Sequence, residues 1–376
     1  MREGPDYVSQ AAAPLRKLVP YDPGHDLPAI RRAFAGRTLA ELGSNENPWG
    51  PSPRVLERCA QLDATILLRY PDPLGLDLRR ALAAQLGVTS DEIVLGNGSH
   101  ELLMLLAQAF AGPGDPVVFS EFGFAVFPIA TATMGATAVR VPALPADHPT
   151  APRGHDLDAI AAAITADTKL VFIANPNNPT GTWFSRAALV EFLAKVPPTV
   201  PVVVDEAYHE YVTDPAVASA LELRVRFPNV IVTRTFSKAY GLAGLRAGYL
   251  VATADCCDVL NRVRESFNVN GVALALAEAA LADQAHVAKV RMQTQVQVAA
   301  LGREIRALGL FVHPSQTNFL LVDFGREAAP VEARLRAQGV VVRPMKGYGL
   351  PTCLRINNGR EADDAHLLNC LKEALR

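Results

Sequence analysis

An α/β fold with a mostly parallel central sheet in a large domain, followed by a smaller α+β C-terminal domain, is the expectation for this chain of 376 residues. Three observations carry it. From about Glu92 to Val251, short apolar runs alternate with amphipathic stretches of helical period, the pattern of a sheet covered by helices on both faces. After Asp255 the pattern changes to long helices and then to a short mixed segment, which marks a second unit. The length also exceeds what one small core fills. The expected division is an N-terminal arm over residues 1–48 packing over the active site, a large domain over 49–257 and a small one over 258–376.

The elements follow in order. The first stretch is rich in Pro and Arg, with one short helix around Leu27–Phe34. Pro and Gly leave no room for regular structure in Leu42–Pro53, so that segment reads as a loop. Strands are expected at Ile93–Leu95, Val117–Phe119, Thr137–Val141, Leu170–Ile173, Val202–Val204, Val230–Val232 and Gly248–Val251, each short, apolar and mostly β-branched. Helices fit between them at His100–Ala111, Leu157–Ala163 and Arg186–Lys195. Beyond Asp255, helical periodicity covers Val259–Glu265 and Leu274–Leu308. Strands are then expected near Phe319–Val322, Val340–Val342 and Leu354–Ile356.

Composition excludes several classes. Apolar residues make up 49% and charged residues 20%, as in ordinary soluble globular proteins. A net charge of −2 gives no reason to expect nucleic acid or an anionic membrane as partner. The five cysteines show neither metal-ligand nor CxxC spacing, so no metal site and no disulfide framework is expected. The polar N-terminus lacks the apolar core of a signal peptide. No apolar run reaches the ~18 residues of a membrane span. A cytoplasmic location follows as the expectation.

The chemistry concentrates at strand ends, where α/β sheets bind ligands. Lys238 lies just past the strand Val230–Val232, in Thr233-Arg-Thr-Phe-Ser-Lys-Ala-Tyr-Gly-Leu-Ala-Gly-Leu-Arg246. An amine flanked by Ser237 and Arg246 suits an aldehyde cofactor that carries a phosphate, and a Schiff base with pyridoxal phosphate is the candidate. Asp205 closes the strand Pro201-Val-Val-Val-Asp205, where a carboxylate could hold a pyridinium. Tyr208 follows three residues later, with a phenol for the cofactor's ring oxygen. Asn178, in Asn175-Pro-Asn-Asn-Pro-Thr-Gly181, can donate its amide to the same oxygen. Gly96-Asn-Gly-Ser-His-Glu101 opens a helix whose first N–H groups would face the phosphate. Each segment alone reads as a turn; four supplying complementary parts of one site are hard to explain as turns.

Taken together, Ser44–Pro53, Tyr70–Pro73, Gly96–Ser99, Asn175–Gly181, Val204–Tyr208, Phe236–Arg246 and Cys353–Ile356 resemble the fold-type I pyridoxal-phosphate enzymes. Within that group the chain resembles the histidinol-phosphate aminotransferase family, over nearly its whole length and in the family's order. The resemblance implies pyridoxal 5'-phosphate on Lys238, which would also shuttle the substrate's proton. It implies Asp205 on the ring nitrogen, and Asn178 and Tyr208 on the ring oxygen. The phosphate would lie among Gly98, Ser99, His100, Ser237 and Arg246, with Tyr70 reaching in from the second subunit of a homodimer. Phe122 would stack on the cofactor, Arg355 and Arg343 would bind the substrate's anionic end, and Tyr21 would line the pocket. The implied partners are an amino donor and 2-oxoglutarate.

The chain departs from the family pattern at His100, where an acidic residue or its amide is usual, at Phe122, where Tyr is common, and at Asn357 and Asn358. These departures leave the cofactor chemistry intact and leave the donor open. An aromatic amino-acid aminotransferase, a decarboxylase of a phosphorylated amino acid and a pyridoxal-phosphate-sensing binding module are the alternatives.

Overall fold

The structure, a computed structural model, describes residues 4–20 and 24–376. Tyr21 lies outside the described residues. All seven strands expected between Glu92 and Val251 form and join one sheet. Its order is Ile93–Gly96, Gly248–Val251, Val230–Thr235, Val202–Asp205, Leu170–Ala174, Pro116–Ser120, Thr137–Val141. Gly248–Val251 runs antiparallel to both neighbours and the other pairings are parallel. Six strands therefore end at one edge, and register aligns those ends, with Ala174 beside Asp205 and Asp205 beside Thr233.

The inner strands are unbroken runs of apolar residues because both faces are covered. Leu170–Ala174 and Val202–Asp205 are buried at every position. Side chains alternate between faces with the period of two that a strand imposes. Phe172, Ala174 and Val203 pack with Leu102, Leu103 and Leu106 of the helix Ser99–Phe110. Val171, Ile173, Val202 and Val204 pack on the other face with Leu189 and Phe192 of the helix Arg186–Lys195. At the sheet edge, Thr137–Val141 buries only Val141.

The C-terminal part differs from expectation at several points. It forms an unexpected strand, Phe311–Val312, and two unexpected helices, Ala329–Ala337 and Glu361–Ala374. Helical periodicity over Leu274–Leu308 resolves into two helices, Gly271–Leu281 and Gln284–Ala307. Asp283 separates them and caps the second, accepting from the His286 N–H, as a short acceptor at an N-cap does. The helix expected at Val259–Glu265 spans Ala254–Val263. The strand expected at Val340–Val342 forms only at Val340–Val341, and a separate, unexpected strand follows at Arg343–Pro344. Val340–Val341 pairs in parallel with Ala40–Glu41, whereas Arg343–Pro344 joins Cys353–Asn357, Phe319–Asp323 and Phe311–Val312 in a four-stranded antiparallel sheet.

Packing does not divide at 257/258. Ala273, Leu276, Ala277 and Val290 belong to the same hydrophobic cluster as Leu78, Leu82, Tyr208 and Tyr249. Val298, Leu301 and Ile305 belong to a second cluster with Leu320, Leu354 and Leu371, which also takes in Ala40 and Leu42. The change of cluster falls inside the helix Gln284–Ala307. The N-terminal segment is thus built into the C-terminal unit at residues 40–42.

Candidate active site

A cavity of about 330 Å³ opens where the sheet's aligned strand ends meet the C-terminal unit. That volume suits a small cofactor with substrate.

Two neighbouring carboxylates lie in opposite electrostatic settings. Glu206, 2% exposed, accepts two hydrogen bonds from the Arg234 guanidinium at 2.8 and 3.0 Å, and others from Ser219 and the Ala220 N–H. Against the cost of its burial, Arg234 holds its pKa below the usual value. Asp205 faces the cavity and is 5% exposed. Its Oδ1 accepts from the Thr233 hydroxyl at 3.0 Å. Burial pushes this carboxyl up to about 6, opposed by the Thr233 and Ala207 hydrogen bonds. Desolvation without a paired cation produces such a rise, and a cationic ligand group would reverse it.

Lys238 lines the same cavity, partly buried. Its Nζ donates to the Ser44 carbonyl at 3.4 Å and stands 5.7 Å from the Tyr208 ring centroid. Burial and then the Arg355 guanidinium push the amine down to about 8, so roughly a tenth of it is neutral at pH 7, far more than for an ordinary lysine. The Tyr208 hydroxyl accepts from Asn45 Nδ2 at 2.8 Å, and burial pushes its ionisation upward. Asn178 Oδ1 accepts from Arg355 Nη1 at 2.7 Å. With its oxygen taken, the Asn178 amide retains its NH2 for a ligand acceptor.

At the other end, the helix Ser99–Phe110 begins at Gly98 with no side chain capping its first N–H groups. Such a terminus attracts an anion. Gly98 has φ +80°, and a Cβ there would lie 2.5 Å from Arg246 Nη2, so the bare backbone lets the guanidinium approach. Arg246 itself holds φ +57°, an uncommon conformation for a side chain of this size. Its Nη1 donates to Ser237 Oγ at 3.3 Å and to the Ala243 carbonyl at 3.0 Å. His100 also lines the cavity, and burial with Arg246 nearby pushes its pKa down.

On the C-terminal unit, Arg343 and Arg355 stand directly opposite each other on adjacent antiparallel strands. Both line the cavity. Like charges facing across a ladder repel each other. Arg355 Nη2 also donates to the Gly43 carbonyl at 2.9 Å, and its guanidinium lies 5.3 Å from the Phe319 ring centroid.

Ten of the expected residues therefore line one cavity: Lys238, Asp205, Tyr208, Ser99, His100, Asn178, Ser237, Arg246, Arg343 and Arg355. Gly98 adjoins it through Arg246. Phe122 does not line it. Its ring packs beside Leu321, Met345 and Leu350, and its carbonyl accepts from Asn177 Nδ2 at 2.8 Å. The turn closed by the Gly123 N–H on the Ser120 carbonyl presents Phe124 to the cavity instead. Tyr70 does not line its own chain's cavity; it is 82% exposed and stacks on Phe267 at 4.6 Å. Asn45 and Ser44 were not expected here. Their segment, Ser44–Pro53, was among the stretches that carry the family resemblance, but no role was assigned to either residue; Asn tolerates the φ of +57° that Asn45 adopts.

These residues fit pyridoxal phosphate on the structure's own terms. An uncapped helix start with Arg246 and Ser237 matches its phosphate, the unpaired carboxyl of Asp205 its ring nitrogen, the donors of Tyr208 and Asn178 its ring oxygen, and the Lys238 amine its aldehyde. Among the described residues no cluster of His, Cys, Asp and Glu could hold a metal ion, and no helix is long and apolar enough to cross a membrane.

Comparison with known proteins gives the class of this fold and site, a transferase of amino groups. The family model for aminotransferase class I and II matches residues 37–371; the chain belongs to this family and is an enzyme. It is 45% identical over 372 residues, covering 98% of this chain and 99% of the relative, to histidinol-phosphate aminotransferase 2 of Pseudomonas aeruginosa. The solved histidinol-phosphate aminotransferase of Sinorhizobium meliloti, in complex with pyridoxal-5'-phosphate, superposes with a TM-score of 0.86 at 34% identity over 98% of both chains. L-threonine-O-3-phosphate decarboxylase of Porphyromonas gingivalis, at 23% identity over 90% of this chain and 99% of its own, shares the fold with a TM-score of 0.77. The architecture is that of fold-type I aminotransferases.

Proposed function

We propose that this aminotransferase is a pyridoxal-phosphate enzyme that moves an amino group between L-glutamate and imidazole-acetol phosphate, or the reverse, in histidine biosynthesis. The opposed arginines Arg343 and Arg355 carry the substrate reading. A phosphate monoester presents about two charges and three acceptor oxygens at neutral pH, and two guanidinium forks engage it more fully than one. The names of the relatives support the same substrate.

When bound, the cofactor supplies an electron sink for the bond-breaking at the substrate's Cα. Asp205 would provide the negative charge that keeps the sink protonated. Tyr208 and Asn178 would donate to its ring oxygen. Lys238 Nζ, pushed down to about 8, would take the Cα proton and return it, since a base poised near the working pH transfers protons best. Arg343 and Arg355 would hold the phosphate or carboxylate so that the Cα hydrogen faces Lys238. A cytoplasmic homodimer in which Tyr70 of each chain serves the other's site fits the exposure of that ring.

The test is a donor comparison on purified protein. Histidinol phosphate should exceed phenylalanine in kcat/KM at least tenfold, which needs only about 1.4 kcal/mol of differential transition-state binding. Arg343→Ala should harm histidinol phosphate more than phenylalanine. Phenylalanine as the better donor, with Arg343→Ala indifferent to both, would replace this reading with an aromatic aminotransferase.

A further inference from the structure

Asn45 makes contacts out of proportion to a loop residue. It is 1% exposed, holds φ +57° and lines the cavity. Its N–H donates to Asn357 Oδ1 at 3.1 Å, and its carbonyl accepts from Asn318 Nδ2 at 3.1 Å. Asn357 ends one strand of the C-terminal sheet, and Asn318 immediately precedes another. Its side-chain amide reaches the opposite way, to the Tyr208 hydroxyl at 2.8 Å. One residue thus joins the C-terminal sheet to a phenol in the turn that follows the large sheet's strand Val202–Asp205.

The polarity of that bond matters. Asn45 Oδ1 is buried without a hydrogen-bond partner. Turning the amide over would orphan the NH2 instead, and buried N–H groups tolerate this less well than carbonyls. The favoured orientation therefore donates from Asn45 to Tyr208. A phenol oxygen that accepts from Asn45 keeps its own hydrogen free to donate elsewhere. The charged groups around this phenol are Arg355, Asp205 and Lys238, with the Tyr348 phenol also near.

We propose that Asn45 is a positioning residue for the amino-transfer site: it fixes Tyr208 as a donor into the cavity and links that setting to the seating of the C-terminal unit. The inference rests on pyridoxal phosphate being the cofactor. A hydrogen bond to the cofactor's ring oxygen favours the ionised oxygen, so losing it raises the pH at which the bound chromophore takes up a proton.

The experiment titrates the visible absorbance of the cofactor-loaded protein against pH. Tyr208→Phe sets the scale, with a midpoint raised by about one unit. Asn45→Gly suits the positive φ, removes only the amide, and should raise the midpoint by about half a unit or more. In a Tyr208→Phe background, Asn45→Gly should add nothing. Asn45→Asp provides a second variant that keeps the backbone preference but accepts from the phenol; its midpoint should rise at least as far as that of Asn45→Gly. An unmoved midpoint in both Asn45 variants, or an equal Asn45→Gly shift with and without the Tyr208 hydroxyl, overturns the proposal. A wild-type protein that gains no visible band from pyridoxal phosphate overturns the cofactor reading itself, and this proposal with it.

Discussion

Asp205→Asn should stabilise the cofactor-free protein while disabling the loaded one. The reasoning starts from a carboxyl pushed by burial from 3.8 up to about 6. A group whose native pKa is raised binds more protons folded than unfolded between those two values, so its contribution to stability falls as pH rises through that window. Above pH 6 the ionised carboxylate disfavours folding by roughly 3 kcal/mol, at about 1.36 kcal/mol per unit. Below 3.8 the effect vanishes. Asn removes the charge, but it loses one acceptor against the Ala207 N–H or the Thr233 hydroxyl, about 1 kcal/mol. A net gain of about 2 kcal/mol at pH 7.5 is expected, falling to near zero by pH 4.5. Thermal melts of the cofactor-free variant and wild type at both pH values measure it. In the loaded enzyme the same substitution should lower kcat more than it raises KM, because the charge matters most once the carbanion develops. A variant that melts lower at pH 7.5 and keeps wild-type kcat would refute the unbalanced charge from which this reasoning starts.

Lys238→Ala should still bind pyridoxal phosphate, yet amino transfer should fall by about three or more orders of magnitude, since nucleophile and proton carrier are lost together. Borohydride treatment of the wild-type loaded protein should label a peptide containing Lys238, and label on another lysine would refute the assignment. Arg246→Ala should weaken cofactor binding by roughly 10- to 100-fold, the span of one charge-assisted hydrogen bond of about 1.5–3 kcal/mol, measured by equilibrium dialysis. Its kcat at saturating cofactor should change far less.

Much of the sheet and its site could be read from the sequence, for one physical reason. A strand buried on both faces shows as an unbroken apolar run, and the residue that ends it sits at the ligand edge; Val202–Asp205 is the clearest case. The helix Val126–Thr133 was invisible because it contains Pro128 and two threonines, whose hydroxyls donate to the Phe127 and Ile129 carbonyls within it. Tertiary packing of Val126 and Phe127 overrides that poor propensity. The break at Asp283 was hidden because apolar spacing continues across it. Phe122 and Phe124 share a parity, and nothing local tells which of them a turn will present to a cavity. Asn45 lies in a stretch the resemblance singled out, but its role escaped notice because its partners, Tyr208, Asn318 and Asn357, are remote in the chain.

The parallel pairing of Ala40–Glu41 with Val340–Val341 also fixes when the catalytic centre can come into being. A ribosome adding about 5–20 residues per second delivers the second of these strands roughly 15–60 s after the first. Throughout that interval the large sheet can assemble on the nascent chain. The strand at residue 40, and with it the loop that carries Ser44 and Asn45 to Lys238 and Tyr208, has nothing to pair with. Completion of the cavity waits for residues 340–341, so a product truncated before them carries the lysine without Arg343 and Arg355 and with the Ser44–Asn45 loop unanchored.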